Sequence, residues 1–135
     1  AVVTALQKAG VSRVVMLQVA GAFHSRLMRP AATAFAKILA AVPLTPPACA
    51  VAQNVTGGLV GDPVAIRDNL AAQVAGTVRW EACVRAMLAA GVETLIEFGP
   101  GQVLAGFVRR LDRQFPTFSI SSMADVDKAT AALGL

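Results

Sequence analysis

An α/β fold with parallel strand pairing is what this sequence predicts, and three observations carry the prediction. Short runs rich in Val, Ile and Leu alternate along the chain with segments whose apolar residues recur at helical spacing. Strand-like runs are followed closely by helix-like ones, which is half of a βαβ unit. Glycine and proline punctuate the boundaries, where turns and caps require them.

Ala1 to Ala9 reads as a helix closed by Gly10, with Lys8 near its end. Val11 to Val19 is rich in β-branched residues and reads as a strand. A loop holding His24 then leads into a helix on which Met28, Ala31, Phe35, Ile38 and Val42 share a face; Pro30 fits its first turn and Pro43 ends it. Leu44 to Ala48 is Pro-rich and extended, and Val51 to Val55 is a short strand ended by Thr56-Gly57-Gly58. Asp62-Pro63 opens the next helix, with Ile66, Leu70 and Val74 facing inward and Gln73 near its end, before Gly76. The clearest helix follows. Trp80, Cys83, Val84, Met87 and Leu88 fall at i, i+3, i+4, i+7 and i+8, Gly91 stops it, and Trp80 belongs to the core. Thr94 to Phe98 is a strand, Gly99-Pro100-Gly101 a tight turn, and the helix beyond turns Val103, Leu104, Phe107, Val108 and Leu111 inward. Phe118 to Ser121 is the last strand, and Ser122-Met123-Ala124-Asp125 opens the terminal helix in the manner of a capping box.

At 135 residues the chain is long enough for one domain or for part of a larger one, and Ala1 in place of Met points to sequence upstream. It is 56% hydrophobic with a mean hydropathy of +0.62. Yet no apolar run approaches the ~18 residues of a spanning helix, and Pro43, Pro46 and Pro47 break the longest candidate. Gln7 and Lys8 interrupt the N-terminal run, so no signal peptide is expected and the predicted location is cytoplasmic. Cys49 and Cys83 have no CxxC spacing and one histidine to join them, so neither a metal site nor a disulfide framework is expected. The net charge of +4 favours anionic partners in general. Nucleic acid and membrane are not among the expected partners, since aromatics are 5% and Tyr is absent. Arg109, Arg110 and Arg113 are read as helix-end cations.

His24 is the one histidine, and so the one side chain that ordinarily titrates near neutrality. It lies between a strand-like and a helix-like run, a junction where α/β folds often display reactive groups. Other motifs fail. Gly99-Pro100-Gly101 would need Gly at 104 to match GxGxxG, and Leu104 stands there; no Gly-Lys-Ser/Thr loop exists. No serine lies in a G-x-S-x-G elbow. Ser25 follows His24 directly, and chain neighbours seldom present their side chains to each other, so Ser25, like both cysteines, is read as a bystander. The carboxylates are scattered. The residues offer a general base without its nucleophile.

Four segments then fall into a family pattern: Gly21-Ala22-Phe23-His24-Ser25-x-Leu27-Met28, Asn54-Val55, Gln73 with Val78-Arg79-Trp80, and Glu97-Phe98-Gly99-Pro100-Gly101-x-Val103-Leu104. In this order and at these spacings they resemble the C-terminal part of malonyl-CoA:acyl carrier protein transacylases, the loading enzymes of bacterial-type fatty acid synthesis. The resemblance covers essentially the whole chain. It implies an α/β-hydrolase-like large subdomain with an inserted ferredoxin-like small one. Residues 1–20 would end the small subdomain with its last helix and strand, and residues 21–135 would be the C-terminal part of the large subdomain.

The same resemblance implies transfer of a malonyl group from malonyl-CoA to the phosphopantetheine thiol of acyl carrier protein, through an acyl-serine. His24 matches the general base, whose second ring nitrogen the family fixes with backbone carbonyl groups; Gln73 matches a residue near that role. Phe23 matches a position associated with malonyl selectivity, where exclusion of one methyl is worth ~1–3 kcal/mol, and Asn54 orders the site. Phe23, Gln73 and Asn54 are therefore the implied substrate-site residues. The serine elbow and the arginine for the malonyl carboxylate are expected N-terminal to this chain, so the chain alone would be inactive and its further partner the missing N-terminal half. No cofactor is implied. The nearest alternatives are the acyltransferase domain of a polyketide synthase and a non-catalytic fragment that binds carrier protein. Against the polyketide alternative, the chain stops after one short helix with no linker to a following domain.

Overall fold

A computed structural model of the chain describes residues 2–16 and 18–135. Helix α1 (Val2–Lys8) closes on Gly10, whose φ of 87° is open to a residue without Cβ. The Val11 N–H reaches the Leu6 carbonyl and the Gly10 N–H the Gln7 carbonyl, the Schellman pairing that satisfies the last carbonyl groups of a helix. No residue of α1 is buried.

The strand expected over Val11 to Val19 does not form at the described residues, Leu17 lying outside them. Its β-branched residues suit a pleated surface, but a strand exists only where a ladder partner meets its backbone. Among the described residues no segment pairs with it, and Val15, Met16 and Val19 are exposed. Among the described residues of 1–20 the structure therefore has the expected helix without the expected strand.

The 3₁₀ turn Arg26–Met28 leads into α2 (Arg29–Ala40), which carries Pro30 in its first turn. Next comes a feature the alternating pattern hides. Strands β1 (Val51–Gln53) and β2 (Gly58–Val60) pair antiparallel, Val51 opposite Val60, so residues 54–57 form a hairpin turn and Gly58 opens the second strand, where a simple strand end was expected. Gly57 sits at φ 74°, where a Cβ would come within 2.8 Å of Ala82 Cβ. Asp62 then caps α3 (Pro63–Gln73), its Oδ2 accepting the Ala65 N–H at 2.8 Å. The buried Gln53 ties the hairpin to α3: its Nε2 donates to the Ile66 carbonyl and its Oε1 accepts from Asn69. Arg67 Nη2 donates to the Val42 carbonyl, fixing the far end of α2 to the middle of α3.

Helix α4 (Trp80–Ala89) packs on the hairpin and ends at Gly91 in a second Schellman closure. Cys83 and Val84, 2% and 0% exposed, are the most buried large side chains. The parallel pairing that was expected throughout holds for β3 (Leu95–Phe98) and β4 (Thr117–Ile120), in register from Leu95 opposite Thr117 to Phe98 opposite Ile120. They are joined through α5 (Val103–Leu111), as parallel strands require a crossover. Both α5 and α6 (Met123–Leu133) pack on β4. On α5 the buried residues are Ala105 and Val108, whereas Val103, Leu104 and Phe107 of the expected inward face are exposed. Leu70 of α3 is exposed as well. On α5 and α3 the stripe buried within this chain is thus narrower than the apolar face.

The accessible surface is 9738 Å², against about 6,700 Å² for a folded monomer of this mass. Among the described residues, no helix is long and apolar enough to cross a membrane.

Candidate functional site

The His24 loop is built on strain. His24 adopts φ 58°, the one non-glycine residue with positive φ among those described. That region brings Cβ against the following carbonyl and costs ~1–3 kcal/mol, so neighbouring bonds must hold it. Ser25 provides two: its hydroxyl donates to the Ala22 carbonyl at 2.7 Å and accepts the Leu27 N–H at 3.2 Å, capping the 3₁₀ turn.

The packing of α2 on α3 brings the start of one helix beside the end of the other. There His24 Nδ1 lies 3.1 Å from the main-chain carbonyl oxygen of Gln73, the last residue of α3. A carbonyl only accepts, so Nδ1 carries the proton and the Nε2 lone pair is free. The Gln73 side-chain amide lies 3.4 Å from the same Nδ1 but is committed elsewhere, donating to the Gly76 carbonyl at 3.2 Å and the Thr77 carbonyl at 3.5 Å. Both of those groups also only accept, which fixes the amide orientation. The Gln73 carbonyl stands at the C-terminal end of α3 and also accepts the Gly76 N–H at 3.2 Å, which holds it in place.

Of the other sequence-predicted residues, Asn54 stands in the hairpin turn. Its carbonyl accepts the Arg79 N–H at 2.9 Å, joining the turn to the start of α4, while its Oδ1 is buried without a protein partner. The neighbouring Val55 packs close to Gly76, where an added Cβ would meet Val55 Cγ2 at 3.0 Å. The hairpin turn thus backs the corner that holds Gln73. Phe23 is 59% exposed, its ring folded over Gly21. The structure brings His24 and Gln73 together directly and Asn54 only through that corner. No hydrogen bond joins Phe23 or Asn54 to His24 among the described residues.

The family resemblance implied a backbone carbonyl on the second ring nitrogen without saying which residue brings it; that it is the carbonyl of Gln73, and that those of Gly76 and Thr77 hold the Gln73 amide, went unseen in the sequence. Main-chain oxygens leave no residue signature, and the glycine three positions after Gln73 is the one available hint. The concave features lie elsewhere. A cavity of about 50 Å³ is lined by Trp80, Leu95, Glu97 and Val108 among others, and a cleft of about 320 Å³ by Trp80, Phe107 and Arg110; neither is lined by His24, Gln73, Asn54 or Phe23. Trp80, half-buried, borders both, with Nε1 unpartnered.

The Gly-Pro-Gly turn serves the fold. With Gly99 at φ 124° and Gly101 at φ 95°, it lets Glu97 reach back to the start of α5, accepting the N–H of Leu104 at 3.1 Å and of Ala105 at 2.9 Å. The Ala105 amide, with that of Leu104, holds the Glu97 carboxyl below its ordinary range against the opposing effect of desolvation.

No family model matches the sequence. The chain is 34% identical over 124 residues to the malonyl CoA-acyl carrier protein transacylase of Bacillus subtilis, covering 92% of this chain and 39% of that protein. Among solved structures, it is similar to an acyl-carrier-protein S-malonyltransferase from Burkholderia pseudomallei, with 38% identity, a TM-score of 0.86, and coverage of 93% of this chain and 41% of that one. It is also similar to a malonyl-transacylase solved in complex with a type II PKS acyl-carrier protein, with 31% identity, a TM-score of 0.86, and coverage of 98% and 42%. Over nearly its whole length the chain is homologous to malonyl CoA-acyl carrier protein transacylases, and it spans about two fifths of their length.

Proposed function

We propose that this chain supplies the general base, and the scaffold that orients it, for transfer of a malonyl group from malonyl-CoA to the thiol of acyl carrier protein. One observation carries the proposal: His24 Nδ1 lies 3.1 Å from the Gln73 carbonyl at the end of a helix, an acceptor that selects the Nδ1–H tautomer and so leaves the Nε2 lone pair available. A base of this kind needs a nucleophile. The sequence has no serine elbow, and the other three fifths of the relatives' length is where we place it.

In the first half-reaction, His24 Nε2 takes the serine proton as the hydroxyl oxygen attacks the malonyl thioester carbonyl. The imidazolium formed keeps its Nδ1–H on the Gln73 carbonyl, at the negative end of α3. It returns the proton to the departing thiolate of coenzyme A. In the second half, Nε2 takes the proton of the carrier-protein thiol, which attacks the malonyl-serine, and the serine oxygen leaves protonated. Gln73 positions the ring, Phe23 narrows the approach to the acyl group, and Asn54 braces the corner behind Gln73. The aspartate of a triad is replaced by a main-chain dipole.

The exposed apolar surface supports the same arrangement. An accessible area about 3,000 Å² above that of a folded monomer is no less than the roughly 1,000–2,500 Å² per side that an obligate partner covers, and we assign it to the remainder of the acyltransferase domain. In this assignment residues 1–20 close the inserted small subdomain and 21–135 belong to the large one. In it, α1 and the described residues of the 11–19 run lack buried contacts because their neighbours are there.

Grafting this sequence in place of the matching stretch of the Bacillus subtilis relative tests the proposal. The chimera should load carrier protein with malonyl, and His24→Ala should lower the rate by ~10²–10⁴-fold. A chimera indifferent to His24→Ala refutes the assignment. Testing a fatty-acid carrier beside a type II polyketide carrier in that assay separates the two classes of acceptor.

A further inference from the structure

We infer that Ser25 is a positioning residue for His24, which rests on His24 being the base: the hydroxyl locks the backbone conformation that delivers the imidazole to Gln73. The Ser25 Oγ bridges the Ala22 carbonyl and the Leu27 N–H, so it staples the chain on both sides of His24. The stapled segment contains the one left-handed non-glycine residue among those described, His24 at φ 58°. A residue with a Cβ relaxes out of that region unless something opposes it. Two anchors oppose it, the Nδ1 bond to Gln73 and the Ser25 staple. The ring bond alone is at an exposed site, where a single hydrogen bond is weakly favoured over water.

Without the staple, φ of His24 falls back to negative values and Cβ turns away from the end of α3. Nδ1 then loses the carbonyl that kept it protonated, and the ring passes to a mixture of tautomers in which Nε2 carries the proton. A base with a protonated Nε2 cannot accept another. Ser25 itself stays extended, at φ −128° and ψ 167°, so a threonine fits the same backbone. The remaining bonds of the turn, from the Met28 N–H to the Ser25 carbonyl and from the Arg29 N–H to the Arg26 carbonyl, are main-chain and do not use the Ser25 side chain. The hydroxyl is therefore the separable part of the device.

His24 is the sole histidine, so ¹⁵N-labelled histidine gives a single imidazole signal set from the full chain. Above the imidazole titration, the unchanged chain should show Nδ1 protonated and Nε2 bare. Ser25→Ala should lose the Nδ1–H resonance and shift the ring toward the Nε2–H form, with the backbone amide spectrum elsewhere unmoved. Ser25→Thr should keep the original tautomer. An unchanged tautomer in Ser25→Ala overturns the inference. So does a threonine variant that loses the Nδ1–H resonance, whether or not the alanine variant folds. In the chimeric enzyme, Ser25→Ala should lower kcat about tenfold with KM unchanged. A tautomer shift without loss of rate upholds Ser25 as the staple and counts against His24 as base, so the two readings fail separately.

Discussion

The Glu97 carboxylate and the Ala105 amide close the Gly-Pro-Gly turn on itself, with Oε2 accepting the N–H at 2.9 Å. Strand β3 and helix α5 are joined by this bond as much as by the backbone between them. Because it holds the carboxyl below its ordinary value, folding favours the ionised form. Such a group contributes stability above its unfolded pKa and loses it as pH falls through the folded one. Asp125 behaves alike, lowered by the Ser122 hydroxyl first and then by the Ser121 amide and hydroxyl. The urea midpoint should therefore fall as pH drops below about 4.5. Glu97→Gln should lower the midpoint at neutral pH and flatten that acid slope; an unaltered slope would show that the carboxylate does not stabilise the turn.

Asp62→Ala removes the acceptor for the Ala65 N–H at the start of α3. Loss of such a cap costs ~0.5–2 kcal/mol, read as a lower urea midpoint. The His24 Nδ1–H resonance should persist, since Gln73 lies at the opposite end of the helix.

Gly76→Ala places a Cβ 2.8 Å from the Ala72 carbonyl oxygen and 3.0 Å from Val55 Cγ2. One of those contacts is backbone and cannot swing aside, so the corner must move, at ~1–3 kcal/mol. In the chimeric enzyme the same substitution should lower kcat, because the Gly76 carbonyl grips the Gln73 amide.

Gln73→Ala leaves the carbonyl acceptor in place and removes the side-chain grip on Gly76 and Thr77. Loss of about one hydrogen bond of orientation, ~1 kcal/mol, predicts roughly a five- to tenfold fall in kcat with KM little changed. A rise in KM alone would place Gln73 in substrate binding.

Cys83 is buried, and that burial pushes its thiol above the ordinary value, while Cys49 is exposed; both are free. Thiolate is the reactive form. A thiol reagent at neutral pH should therefore modify Cys49 at once and Cys83 only on unfolding.

The punctuation of this fold was legible in the sequence. Asp62-Pro63, Ser122, Gly10 and Gly91 cap the helices they were expected to cap, because capping depends on local chemistry alone. The Cys83–Val84 face of α4 was equally plain. Val11 to Val19 misled, since a strand depends on a partner that propensity does not encode. The hairpin hid behind a short β2, and Val103 of α5, apolar and at helical spacing, is nevertheless exposed. At the site, His24 stood out as a lone histidine at a junction, and Gln73 came from the family resemblance. The left-handed backbone at 24 and the reach of Ser25 past its neighbour to Ala22 and Leu27 are conformational facts with no residue pattern of their own.

A triad carboxylate can be deleted by one codon change, whereas every amino acid at position 73 brings the same carbonyl. Drift in side-chain identity therefore leaves the acceptor for His24 untouched. What it cannot absorb is a change of register. Inserting or deleting a single residue in α3 rotates its last carbonyl by about 100° and takes it away from the ring. The constraint on this acceptor falls on helix length: a gap would break it where a substitution would not.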